Sequence, residues 1–149
     1  MDARATYDAR PWLSSYPEGI PANIEIPDRS LPEVFDEVAD RYSDRPALVF
    51  YGNKISYKKL KEEVDRLAAA LHELGVRKGD KVALYLLNSP QYVISYFGVL
   101  RLGATVTPIS PVYTSIEVRH QLEDSGADSI ICQDFLQTGQ GRSYIIFHG

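Results

Sequence analysis

Apolar positions recur at helical spacing from residue 31 onward. Leu31, Val34, Phe35, Val38 and Tyr42 share one face, while Asp36, Glu37 and Asp40 mark the opposite one. Ser30 and Glu33 have capping-box spacing just ahead, and Pro32 sits in the first turn, where its missing N–H is harmless. The pattern predicts a helix from Ser30 that ends at Asp44–Pro46. Two short β runs follow, Ala47–Tyr51 and Lys54–Ser56, with Gly52-Asn53 predicted as a two-residue hairpin turn. Leu60, Val64, Leu67, Ala68 and Leu71 then recur at intervals of three and four, which predicts a helix over Tyr57–Leu74 capped by Ser56 and closed by Gly75.

The pattern changes at Val82–Leu87, a nearly continuous apolar run of the kind a strand needs when a parallel sheet buries both its faces. Ser89 and Pro90 open a helix to about Leu102, Ala104–Ile109 is strand-like, Ser115–Ser125 is a shorter helix, and Asp128–Cys132 holds another apolar strand. Strand, helix, strand, helix, strand with short loops predicts an α/β fold: a layered parallel sheet with flanking helices and right-handed crossovers, preceded by an N-terminal β-hairpin. Residues 1–29 carry Pro11, Pro17, Pro21 and Pro27, which forbid a long helix and remove strand hydrogen bonds. They read as an irregular arm whose aromatics, Trp12 and Tyr16, lie on the body formed by residues 30–134. Residues 135–149 break the rhythm: three glycines, no helical period and one brief apolar run at Tyr144–Phe147.

Composition narrows the function classes. Of 149 residues, 44% are hydrophobic and 24% charged, ordinary values for a chain with a packed core. The net charge of −4 comes without a basic patch, which argues against nucleic acid as a partner. One cysteine, Cys132, excludes an internal disulfide and suits a reducing compartment, with the cytoplasm as the default. No apolar run approaches the roughly 20 residues that span a bilayer.

Chemistry is sparse. No Walker loop or dinucleotide fingerprint occurs, and Gly139 with Gly141 is a lone G-x-G that reads as a flexible segment. His72, His120 and His148 are scattered without metal-ligand spacing, and Cys132 closes a β run with no base beside it. Glu62 and Glu63 are consecutive on a helix and point apart. Lys54, Lys58, Lys59 and Lys61 form a basic cluster that Glu62, Glu63 and Asp65 can balance. The residues therefore name no catalytic group, metal ligand or cofactor contact. One segment stands out, Leu100–Thr114 (LRLGATVTPISPVYT), because it ends in a loop beyond the carboxyl end of a predicted parallel strand, where ligands gather in open α/β sheets.

Several segments, in order, resemble the N-terminal part of the AMP-forming acyl-CoA synthetases, within the adenylate-forming superfamily that also holds luciferases and peptide-synthetase adenylation domains. Pro46-Ala47-Leu48-Val49 and Ile55-Ser56-Tyr57-Lys58-Lys59-Leu60 are similar to the family's opening pair of motifs. Gly75–Val82 (GVRKGDKV) resembles its G(V/I)xxGD(R/K)V turn, Asn88-Ser89-Pro90 its N(S/C)PE segment, and Leu102–Thr114 its xGA…P(I/L)NPxYT loop. Asp124-Ser125-Gly126-Ala127 completes the set, which covers residues 30–133. Ser110 departs from the family's usual Asn. The arm, with Pro11-Trp12 and Tyr16-Pro17, is similar to fatty-acid-activating members.

The resemblance implies the incomplete N-terminal subdomain of the adenylate-forming fold and a parent enzyme that joins a medium or long acyl carboxylate to CoA, using ATP and Mg²⁺ and releasing AMP and pyrophosphate. The family's phosphate loop, adenine and ribose motifs and catalytic lysine lie beyond the matched region, so the chain alone is expected to be inactive, a truncated scaffold. It also implies a CoA approach near Val112 and Tyr113. A missing continuation of the sheet would leave an exposed edge strand and favour self-association. The alternatives are a standalone non-enzymatic module that binds a partner or acyl ligand, and a fragment of a luciferase-like or peptide-synthetase adenylation enzyme. The tail at 135–149 does not resemble the family's continuation and reads as a non-family segment of frameshift or cloning origin.

Overall fold

A computed structural model describes residues 7–133 and the backbone of 143–147. Helix α1 spans Leu31–Arg41, and the predicted capping box is formed: the Ser30 N–H and hydroxyl both donate to the Glu33 carboxylate at 2.7 Å, and Ser30 Oγ accepts from the Glu33 N–H. Strands β1 (Pro46–Phe50) and β2 (Asn53–Ser56) make the antiparallel hairpin, and helix α2 (Tyr57–Glu73) starts on the Ser56 cap. Strand β3 (Lys81–Tyr85), helix α3 (Pro90–Arg101), strand β4 (Thr105–Pro108), helix α4 (Ser115–Ser125) and strand β5 (Ser129–Gln133) follow in the predicted alternation.

β3 lies between β4 and β5 and runs parallel to both, with Val82 opposite Val106 and Ser129, and Leu84 opposite Pro108 and Ile131. Val82, Ala83 and Leu84 are consecutive and all fully buried, as a strand covered on both faces requires. The core between sheet and helices gathers Leu71, Val76, Val82, Leu84, Leu86, Val99, Ala104 and Ile131. A second cluster, Phe35, Ala39, Leu60 and Val64, joins α1 to α2 and the hairpin, and the Phe35 and Phe97 rings stack at 4.4 Å. Helices α2 and α3 approach closely at Gly98, where a β-carbon would sit 3.2 Å from the Leu67 side chain.

Polar contacts tie the helices together. Arg101, at the end of α3, donates a forked pair of hydrogen bonds to Asp36 of α1 at 2.7 and 2.8 Å, and its Nε lies 2.9 Å from the Asp65 carboxylate of α2. Lys61 adds Asp40 at 2.7 Å and Asp36 at 3.6 Å. The Arg101 hydrogen bonds hold the Asp36 carboxyl below its ordinary value against partial desolvation, and the Ser30 cap does the same for Glu33.

Four expectations are corrected. The hairpin loop is Tyr51-Gly52, one residue earlier than predicted: Phe50 pairs with Asn53, and both loop residues take positive φ (46° and 81°), the geometry whose twist matches the strands. The α1 face is narrower than its apolar pattern. Phe35 and Ala39 are buried, whereas Leu31 and Val34 stay exposed because the hairpin and α2 cover one side of the helix. The arm's aromatics do not lie on the body. Pro11–Ser15 forms a 3-10 turn, Trp12 packs on Tyr7 at 5.2 Å, Arg10 donates to Asn23, and Trp12 and Tyr16 remain exposed. The tail's apolar run is a strand: β6 (Ser143–Phe147) pairs antiparallel with β5, with Ile131 opposite Ile145. The sheet order is therefore β4-β3-β5-β6, and β5 is not an open edge.

Two outcomes follow from this packing. Leu71→Ala removes a fully buried side chain from the sheet–helix core and lowers stability by about 2–5 kcal/mol, read as a fall in urea midpoint at unchanged slope. Asp36 and Glu33 contribute stability that is fully present above their ordinary values of 3.8 and 4.5 and is lost as pH falls through their lowered folded values. The thermal midpoint therefore drops on acidification from pH 5 to pH 3, and Arg101→Met makes that drop shallower while lowering the midpoint at pH 7.

Candidate functional site

Parallel strands bring their carboxyl ends to one side of the sheet, and three loops meet there: the segment after Tyr85, the loop Ile109–Thr114, and the end of β5 at Gln133. The central loop is fixed at both ends. At its start, buried Ile109 donates its N–H to the Leu84 carbonyl at 2.9 Å, extending the strand pairing by one bond. At its end, Thr114 caps α4, with its N–H and hydroxyl both 2.7 Å from Glu117, whose carboxyl is held down by these bonds. Between them, the Tyr113 N–H donates to the Ser110 carbonyl at 3.0 Å and closes a turn.

Val112 and Tyr113, the CoA contacts implied by resemblance, ride on this turn. Val112 is 87% exposed and Tyr113 38% exposed, so both side chains are open to a ligand. The Tyr85 hydroxyl reaches the turn from β3, 3.4 Å from the Pro111 carbonyl and 3.3 Å from the Tyr113 carbonyl. Sequence reasoning missed Tyr85. The available signal was its place as the last residue of the central strand. Gln133 joins the same end through a contact of 3.4 Å from the Leu87 N–H to its side-chain carbonyl. This arrangement presents an apolar side chain and a phenol on a braced loop, and Glu117, its one carboxylate with a shifted proton affinity, is committed to a cap.

The other sequence candidates separate. Lys59 pairs with Glu63 at 3.2 Å and Glu62 at 3.7 Å, as predicted, whereas Lys61 turns to Asp36 and Asp40 and leaves Asp65 to Arg101. His72 lies on the exposed face of the last turn of α2, Cys132 sits on β5 opposite Tyr85, and Glu62 is exposed beside Lys59 whereas Glu63 is half-buried between Lys59 and Arg66. Gly139, Gly141 and His148 lie outside the described residues. Among the described residues, no group of three His, Cys, Asp or Glu side chains can hold a metal ion, and no helix is long and apolar enough to cross a membrane. A separate cleft of about 740 Å³ opens between the hairpin, α2 and α3, lined by Phe50, Ile55, Leu67, Ile94 and Ile131, with Lys59 and Arg66 both paired to Glu63.

Comparison with known proteins agrees with the fold and the motifs. The AMP-binding enzyme family model matches residues 35–144. The chain is 47% identical over 123 residues to the long-chain-fatty-acid–CoA ligase of Salmonella typhimurium, covering 80% of this chain and 22% of that protein. It is 40% identical over 127 residues to the ligase of the same name from Bacillus subtilis, covering 85% and 23%. The chain thus spans less than a quarter of the length of these relatives. Among solved structures, the N-terminal subdomain of Klebsiella oxytoca NpsA in complex with anthranilyl-AMSN matches with TM-score 0.70 and 32% identity, over 76% of this chain and 29% of that one. The anthranilate CoA ligase AuaEII in complex with anthranoyl-AMP matches with TM-score 0.68 and 28% identity, over 72% and 21%. The ordered motifs from Pro46 to Ala127, the parallel β4-β3-β5 core and the matched span of 35–144 agree that the chain belongs to the AMP-binding enzyme family.

Proposed function

We propose that the chain is the N-terminal scaffold of an AMP-forming ligase that joins a medium or long acyl carboxylate to CoA. The observation that carries this reading is the 47% identity over 123 residues to a protein named for that activity. In the reaction, a carboxylate oxygen attacks the α-phosphorus of ATP, forming acyl-AMP and releasing pyrophosphate. The CoA thiolate then attacks the acyl carbon and AMP leaves. Mg²⁺ and cationic side chains from the rest of such an enzyme would supply electrostatic stabilisation of the phosphoryl oxygens. The part of this chain is to build the carboxyl-end loop, with Val112 and Tyr113 lining the approach of the pantetheine arm. By itself the chain is inactive.

The single cysteine in 149 residues fits a protein of the reducing cytoplasm. Self-association through a sheet edge belongs to the same reading. With β5 covered by β6, the available edges of the four-stranded sheet are the outer sides of β4 and β6.

A chimera tests the scaffold reading: the matching segment of the Salmonella ligase is replaced by this chain's counterpart. It is expected to form acyl-CoA from long-chain acids, and a folded chimera without either half-reaction overturns the reading. The 149-residue chain alone is expected to show only background carboxylate-dependent ATP–pyrophosphate exchange; exchange above background would reveal a phosphate site in it. In the chimera, Tyr113→Ala raises the KM for CoA about tenfold, the effect of losing roughly 1.4 kcal/mol of contact. An unchanged KM removes Tyr113 from the CoA approach. Light scattering of the chain is expected to give at least a dimer mass, and a monodisperse monomer refutes edge association.

A further inference from the structure

We propose that Tyr85 is the positioning residue of the CoA-facing loop, its hydroxyl reaching the peptide groups that flank the Val112-Tyr113 pair. This inference rests on the reading of Val112 and Tyr113 given above. Consecutive residues of the central strand hold the loop at two levels: the Leu84 carbonyl takes the Ile109 N–H, and the Tyr85 hydroxyl reaches the carbonyls of Pro111 and Tyr113. Those two carbonyls lie before Val112 and after Tyr113, so a single phenol orients the turn that presents both side chains. The strand that carries Tyr85 cannot shift to follow the loop, because parallel neighbours hold it on both sides and Tyr85 itself stands opposite Cys132 in the register with β5.

The distances also set the scale of the effect. At 3.3 and 3.4 Å both contacts are longer than the usual 2.7–2.8 Å of a hydroxyl donor, and one proton serves two acceptors. The contact is therefore soft, orienting the loop more than stabilising the fold. Pro111 and the Ser110–Tyr113 turn supply local stiffness, but neither links the loop to the sheet. Tyr85 provides that link across 26 and 28 residues of sequence.

Tyr85→Phe keeps the ring and removes the hydroxyl. In the active chimera it is expected to raise the KM for CoA about 3–10-fold, with kcat changed less than twofold and the rate of acyl-adenylate formation much less affected than the thiol step. In the 149-residue chain the same substitution is expected to speed hydrogen exchange at the Val112 and Tyr113 amides severalfold, with the urea midpoint nearly unmoved. An unchanged KM for CoA overturns the proposal, as does an equal loss in both half-reactions, which marks a merely structural role. A raised KM in Tyr113→Ala with none in Tyr85→Phe refutes the positioning role alone, whereas no effect of Tyr113→Ala refutes the loop reading beneath it. Should the chimera be inactive, hydrogen exchange decides: unchanged rates at Val112 and Tyr113 in Tyr85→Phe overturn the clamp.

Discussion

Everything else in the molecule is arranged around a strand that has no free side. β3 spends both of its hydrogen-bonding edges on parallel neighbours and buries Val82, Ala83 and Leu84 in succession. Parallel pairing sends the chain back along the sheet between strands, which requires the α3 and α4 crossovers and puts all three carboxyl ends on the same side. The loop after β4 therefore lies beside the end of β3. The position of the candidate site is a consequence of strand direction, and its side chains only refine it.

That dependence explains which parts of the molecule could be read from its residues. The helices and their starts were legible because the information is local: Ser30 with Glu33, Ser56 ahead of Tyr57, and apolar residues at intervals of three and four each specify structure within a turn or two. The hairpin was legible but its loop was misplaced, since Gly52 can occupy either loop position and only the pairing of Phe50 with Asn53 settles which. Tyr51, a bulky residue at positive φ, gives no sign of that role in the sequence.

What escaped the sequence was non-local. β6 is an ordinary apolar run until β5 offers it an edge, and the tail's glycines drew attention to flexibility instead. Trp12 has the composition of a docking aromatic, yet it packs on Tyr7, five residues away. Tyr85 is marked in the sequence only by its place at the end of an apolar run, and its reach to carbonyls 26 and 28 positions later is visible only in the fold. Val112 and Tyr113 are candidates only through the resemblance to a family, because exposed residues on a turn have no period of their own.

The ionic junction at Arg101 bears on how the molecule comes apart. Its guanidinium holds Asp36 and Asp65, so one side chain at the end of α3 contacts both of the other helices in the layer, across a span of 65 residues in the case of Asp36. Such a junction cannot form until the hairpin, α2 and β3 are in place, and it is lost as soon as any one helix lifts. The hairpin end and the sheet end of the chain are thereby joined into a single cooperative unit, in which local fraying of α1 is felt at the base of β4.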